Sequence, residues 1–388
     1  MILGFAALVP YLGWRGTPAE IESQPMAPAI GMPGAPPTSP DGLRRRIDEM
    51  QKALRERPDD ASPAILLADA LLRQARVTGD GRLPNQAESV LTSVLKRSPG
   101  HYDALRLLST VQLSQHRFRD ALEIAERARD VRPEDGWNYG VIGDASIELG
   151  DYEAAFAAFD AMMRMKPNAA AYSRVAYARE LKGNLRGALE AMEMAVQATS
   201  AHDPEALAWY VAHVAELHVH IGNLDDADRE FRRAAFIFPD YPFATVGRGK
   251  VLALRGDRTG ALAVFLDQFT RTPSLELAAR IGDLHAAMQN AAEAERFYQL
   301  AEQLAGPAMA QTEAALALFL ADRDRKLDDA VMIAETVAKT RRDIFTEDAL
   351  AWTYYKTGRL DEAAAASKRA LRTGTRDENI LSRAAAIQ

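Results

Sequence analysis

The chain has 388 residues, 48% hydrophobic and 26% charged, with 47 Lys and Arg against 54 Asp and Glu, a formal net charge of −7. That length can bury one large core or a long stack of small ones, and the acid excess argues against a nucleic-acid partner, since phosphate binding calls for clustered Lys and Arg. Cysteine is absent, which excludes disulfides, thiolate metal sites and Cys nucleophiles, and is compatible with an oxidising compartment. Few β-branched alternations and many Ala, Leu, Arg and Glu residues point to an all-α chain.

The first segment, residues 1–14 (MILGFAALVPYLGW), is a nearly uncharged apolar run ending at Arg15. It is short for a membrane span and has no basic leader. It reads as an anchor or signal remnant, with a helix docked on the first repeat as the alternative. Residues 15–40 form a linker, with six prolines between residues 24 and 40. So many prolines prevent helix or sheet and give an extended tether. An initial unpaired helix is expected from Asp41 to Pro58.

From there the chain is periodic. The stretch from Gly136 to Pro167 sets the unit: Tyr139, Ile142 and Ile147 recur at helical spacing, Gly150-Asp151 breaks the pattern, and Tyr152, Ala155, Phe159 and Met162 restore it before Pro167. An alanine opens the second helix of each unit at Ala87, Ala121, Ala155, Ala188, Ala227, Ala261, Ala294, Ala330 and Ala363, at steps of 34, 34, 33, 39, 34, 33, 36 and 33. Turn residues precede these alanines by five places at His116, Gly150, Gly183, Gly222, Gly256, Gln289, Arg325 and Gly358. Seven places earlier stand Ser109, Gly143, Ala176, Ala215, Gly249, Gly282, Leu318 and Ala351, small residues at all but one position. Small residues let two helices approach closely; larger ones would overpack at about 1–3 kcal/mol.

This pattern resembles the tetratricopeptide repeat family over about residues 41–388. The matching residues are the small one in the first helix, Gly-Asp or Gly-Asn at the turn, the opening Ala, an aromatic four places later (Phe159, Phe231, Phe265, Tyr298) and a closing Pro. The resemblance implies a right-handed α-solenoid of about nine helix-turn-helix repeats, with a leading and a trailing unpaired helix. In such a stack each repeat touches only its neighbours, and stability is expected to be a nearest-neighbour property. Residues 75–85 are expected to lengthen the first turn and 198–205 one connection, and the turn at Arg325 to be less regular. The last helix, Glu378 to Gln388, has no partner, so it is expected either to cap the stack or to mark a chain cut short.

No catalytic constellation stands out. His213, Glu216 and His220 lie on one helix face with His218 between them, but match neither zinc-protease arrangement and read as packed and solvated histidines. Gly247-Arg248-Gly249-Lys250 resembles the end of a phosphate loop, yet Ala244 and Val251 stand where Gly and Ser or Thr are required. The two glycines are explained by helix packing. No cofactor or metal is expected.

The resemblance also implies that first helices line a concave groove. Residues 13, 10, 6 and 3 places before each turn share one helical face. That stripe supplies the candidate partner-binding residues Trp137, Asp144, Tyr177, Trp209, Glu216, Phe243, Lys250, Phe319, Phe345, Trp352 and Tyr355, together with Asp283. Large aromatics there suggest anchors for a partner's side chains, with packing against the next repeat as the alternative. A basic clamp for a carboxylate is not expected, because Arg174 and Lys250 are two repeats apart. The resulting expectation is a non-enzymatic protein–protein scaffold of a bacterial envelope, membrane-anchored or periplasmic, holding a peptide or helix of a protein partner. It is most similar to repeat proteins that assist assembly of an envelope or secretion complex. The alternatives are a cytoplasmic location and an interaction module truncated from a larger regulator or enzyme.

Overall fold

The computed structural model describes residues 40–306 and 314–388. The apolar segment 1–14 and the linker 15–40 lie outside the described residues, apart from Pro40, where the first helix begins. Among the described residues the chain is all-helical. Helix α1 (Pro40–Glu56) is followed by α2 (Ala61–Thr78), α3 (Arg82–Arg97), α4 (Tyr102–Ser114), α5 (Phe118–Val131), α6 (Gly136–Leu149) and α7 (Tyr152–Met165). Next come α8 (Ala169–Leu181), α9 (Leu185–Gln197), α10 (Pro204–Ile221), α11 (Leu224–Ile237), α12 (Pro242–Leu254) and α13 (Arg258–Arg271). The C-terminal part holds α14 (Leu275–Ala287), α15 (Ala291–Leu304), α16 (Ala314–Asp322), α17 (Leu327–Val337), α18 (Ile344–Lys356), α19 (Leu360–Ala370) and α20 (Glu378–Ile387). From α2 to α19 the helices form successive antiparallel pairs, stacked as a right-handed α-solenoid.

Each pair is built by the same local chemistry. An Asp or Asn at the start of half of these helices accepts a backbone N–H of the first turn: Asp135 from Trp137, Asp151 from Ala154, Asn184 from Gly187. Such caps are worth about 1 kcal/mol each. Glycine in the left-handed conformation ends the first helix at Gly150, Gly183, Gly222, Gly256 and Gly358, and His116 (φ 58°) and Gln289 (φ 62°) adopt the same conformation despite their side chains. At Arg325 the turn is irregular as expected, with positive φ displaced to Asp324 and Lys326. Within the pair, the opening alanines are buried. A Cβ on Gly143, Gly249 or Gly282 would collide with the ring of Phe159, Phe265 or Tyr298. The exception is complementary: where α16 carries Leu318, α17 carries Ala334 in place of the aromatic, and both are buried in one core.

Two expectations are corrected. Residues 75–85 do not form a long loop, because α2 continues to Thr78 and α3 starts at Arg82, leaving only Gly79 to Gly81 between them. The connection at 198–205 is lengthened as expected, with residues 198–203 between α9 and α10, and α10 is itself a turn longer than most first helices. Both α2 and α10 have 18 residues, against 13 or 14 for α4, α6, α8 and α12. Nor does each repeat touch only its neighbours. Arg73 Nη1 donates to Asp203 Oδ1 at 3.0 Å and Arg76 Nη2 to Glu205 Oε2 at 2.7 Å, joining the extra turns of α2 and α10. Farther along, the Arg342 N–H donates to the Glu148 carbonyl at 2.7 Å and the Ile344 N–H to the Tyr152 hydroxyl at 2.9 Å. The superhelix therefore closes on itself, with its third pair seated against its ninth.

Candidate functional site

Closure decides which inner-face residues remain accessible. Trp137, Asp144, Tyr177, Trp209 and Phe319 are buried, with no more than 8% of their surface exposed. That corrects the expectation of an open aromatic stripe along the whole groove. Trp137 lies between the guanidinium groups of Arg106 and Arg174, at 6.0 and 5.6 Å from the ring. Asp144 holds Arg174 through two bonds, at 3.0 and 2.6 Å. Tyr177 packs with Ile147, Ile344 and Ile380, so the closing C-terminal segment covers it. Trp209 shares a core with Leu43 of α1 and Val77 of α2, which fill the groove at its N-terminal end. Phe319 is fully buried beneath Arg323, 4.6 Å from its ring.

The remaining candidates, Asp283 apart, are half-buried and fall into three groups. Phe243 stacks on the His213 ring at 4.9 Å, which itself lies 3.7 Å from the Trp209 ring. Lys250 Nζ and Glu216 Oε1 form an ion pair at 2.9 Å. Burial raises the Glu216 carboxyl, but the charge and hydrogen bond of Lys250, together with His220 and His213, outweigh it and hold the group below its ordinary value. Trp352 and Tyr355 stack at 5.3 Å, with Lys356 5.5 Å from the Trp352 ring and Phe345 one helical face earlier on α18. Asp283 is exposed at the inner rim of α14 and is bridged to Arg323. An accessible inner surface thus survives on the C-terminal half of the solenoid, around α12, α14 and α18.

The histidines do not converge on a common point. His213 Nδ1 donates to the Trp209 carbonyl at 2.8 Å, while His220 Nδ1 pairs with Glu180 at 3.0 Å on the neighbouring helix. Gly247 and Gly249 serve packing: a Cβ at either would strike Phe231 or Phe265.

Periodicity did not reveal the residues that close the coil. Arg341, buried on the connection after α17, places Nε 2.6 Å from Glu148 Oε2 and 2.7 Å from Asp343 Oδ2. Arg372 lies 4.9 Å from the Tyr152 ring and Lys182 4.0 Å from the Phe156 ring. Visible signals for them were the basic runs 339–342 and 368–376, and the two insertions.

Geometry and sequence comparison agree on the repeat. Sequence models described as tetratricopeptide repeat match residues 83–139 and 141–204. Those residues match the tetratricopeptide repeat, and the chain as a whole is an α-solenoid that resembles it. No curated protein matches it. Among solved structures, the APC/C hetero-tetramer Cut9–Hcn1 is similar at 15% identity with a TM-score of 0.52, over 89% of this chain and 59% of the matched one. This chain therefore spans less than two thirds of that relative. The human IFIT1 dimer with m7Gppp-AAAA is similar at 15% identity and a TM-score of 0.56, over 86% of this chain and 77% of that one. At such identities the likeness is one of fold. Tetratricopeptide repeats are in general protein-interaction modules.

Proposed function

We propose that this solenoid is a non-enzymatic scaffold that holds an extended or helical segment of a partner protein along the inner surface of its C-terminal half. The half-exposed stack of Trp352 on Tyr355 carries the reading. Stacked aromatics at an accessible concave face are the groups that anchor a partner's side chains. Glu216, Glu276, Asp283 and Asp322 line the same face, which favours an apolar or mildly basic segment. The apolar run 1–14 and the proline-rich stretch after it support attachment to a bacterial envelope membrane and a role in assembling an envelope or secretion complex. Among the described residues no helix is long and apolar enough to cross a membrane. The capped RNA of IFIT1 is a ligand of that protein; the acid excess here favours a protein partner instead.

The test is peptide selection on the full chain from a library of random dodecapeptides, followed by affinity measurement on Trp352→Ala. Selected peptides are expected to be apolar or weakly basic and to lose about 2 kcal/mol of binding or more in the variant. Equal binding by the variant rejects the groove. So does a stability loss of about 3–5 kcal/mol, which marks a core residue.

A further inference from the structure

Where the coil closes, a cleft of about 410 Å³ opens between its two turns, lined by Gly150, Tyr152, Phe156, Lys182, Arg372 and Thr373, with Asp151 and Glu153 beside them. Its volume falls in the range of small-ligand sites, about 300–1,000 Å³. We infer that this seam cleft is a second docking site, which takes an apolar side chain flanked by a carboxylate from an acidic segment of a protein partner.

Three observations carry this. The floor is aromatic: Tyr152 and Phe156 lie with ring centroids 5.9 Å apart and offer an apolar seat. Each ring is accompanied by a cation, Arg372 at 4.9 Å and Lys182 at 4.0 Å, and neither cation has a carboxylate partner among the described residues. Arg372 is held in place by donating to the backbone carbonyls of Arg369 and Arg342. Finally, the Thr373 hydroxyl is buried in the lining with no hydrogen-bond partner. A buried donor left unmade is destabilising, and an incoming carboxylate would satisfy it. A carboxylate between Lys182, Arg372 and Thr373 gains charge-assisted bonds, while the neighbouring side chain covers the rings.

The lining acids set the limits of the site. Asp151 is engaged as a helix cap, accepting the Ala154 N–H at 3.0 Å. Glu153 is exposed, has no described partner, and opposes an anionic ligand. Arg376 adds positive charge at the rim, where its side chain lies against Gly183. Because the lining comes from the third pair, the fourth pair and the connection after α19, the site exists only in the closed coil, and its occupation stabilises closure. It is separate from the aromatic groove and does not depend on it.

The experiment uses the full chain and a fluorescein-labelled peptide of alternating glutamate and leucine or phenylalanine, a twin with glutamine for glutamate, and an oligoadenylate RNA, read by fluorescence anisotropy at about 50 mM salt. The glutamate peptide is expected to bind saturably and its twin about tenfold more weakly or worse. Lys182→Glu is expected to weaken binding by about tenfold or more and Lys182→Gln by less, Glu153→Gln to tighten it, and Trp352→Ala to leave it unchanged. Both Lys182 variants are checked by circular dichroism; the position is exposed, and its side chain makes no hydrogen bond or ion pair among the described residues. The inference is overturned if the glutamate peptide does not saturate, if the twin binds equally, or if Lys182→Glu has no effect. It is overturned too if the RNA binds more tightly with the same Lys182 dependence. Loss of binding in Trp352→Ala alone would return the peptide to the groove.

Discussion

Gly150 and Gly256 occupy equivalent places in their repeats and share one backbone conformation, φ +81° and +84°. Their surroundings differ. A Cβ on Gly256 would meet nothing within 4 Å, whereas one on Gly150 would stand 2.6 Å from the Arg342 carbonyl oxygen and 2.9 Å from the Arg342 Cβ. Gly256→Ala should therefore cost only the left-handed penalty, about 1–2 kcal/mol. Gly150→Ala should cost that plus about 1–3 kcal/mol for overpacking the seam, and should also increase the radius of gyration measured by small-angle scattering. Equal losses and unchanged dimensions in both variants would mean that the close approach is not stabilising. The turn glycines were legible in the sequence because the left-handed requirement is local. The second constraint on Gly150 was not, because Arg342 lies on a segment nearly half the chain away and no periodicity links the two.

Helix α10 shows the same division between local and distant causes. Its amphipathic spacing and terminal Gly222 were readable, and so was the presence of an insertion before it. That α10 itself runs a turn longer was not. Pro204 at the first helical position and Asp203 as cap favour helix there, and the turn is fixed when Asp203 and Glu205 meet Arg73 and Arg76. The same helix carries two histidines with opposite titrations. Burial drives His213 down from 6.5 to about 4, outweighing its bond to the Trp209 carbonyl and the Glu216 charge. Burial also acts downward on His220, but the hydrogen bond and charge of Glu180 prevail and raise it above its ordinary value. Between pH 6.5 and 4 an unfolded His213 takes up a proton that the folded one refuses, so stability falls with acidification over that window. The His220–Glu180 pair has the other sign: its contribution is complete below 6.5 and is lost as pH rises through the raised folded value. His213→Phe keeps the stack between Trp209 and Phe243, so its stability relative to the parent should climb as pH drops from 6.5 toward 4. Parallel denaturation curves for the two proteins across that window would show that His213 is not the acid-sensitive group.

At the scale of the molecule, closure changes how a repeat protein distributes its stability. An open solenoid behaves as a linear array in which a local defect weakens adjacent repeats and fades with distance. Here the Arg341 guanidinium, itself buried, bridges Glu148 of the third pair and Asp343 at the start of the ninth, and the backbone bond from Arg342 to Glu148 lies beside it. Removing one member of such a buried set leaves an under-compensated charge, at up to about 3–5 kcal/mol, reduced here because Asp343 remains as a partner. Glu148→Ala should thus loosen hydrogen-exchange protection in α6–α7 and in the first turn of α18 together, where Asp343 and Ile344 meet the third pair. The sixth pair, α12–α13, lies between them in sequence, packs against α11 and α14, and should stay protected. A linear array predicts a different pattern, with loss confined to the third pair and its immediate neighbours and the ninth pair unaffected. The same variant separates the two binding surfaces. The seam cleft shares its walls with Glu148's neighbours Gly150 and Tyr152 and should lose its acidic peptide, whereas the Trp352–Tyr355 stack rests on the core of the C-terminal half and should keep its own partner. If both surfaces failed together while α12–α13 remained protected, the seam would have to support the groove as well, and closure would then be a condition for every interaction the scaffold makes.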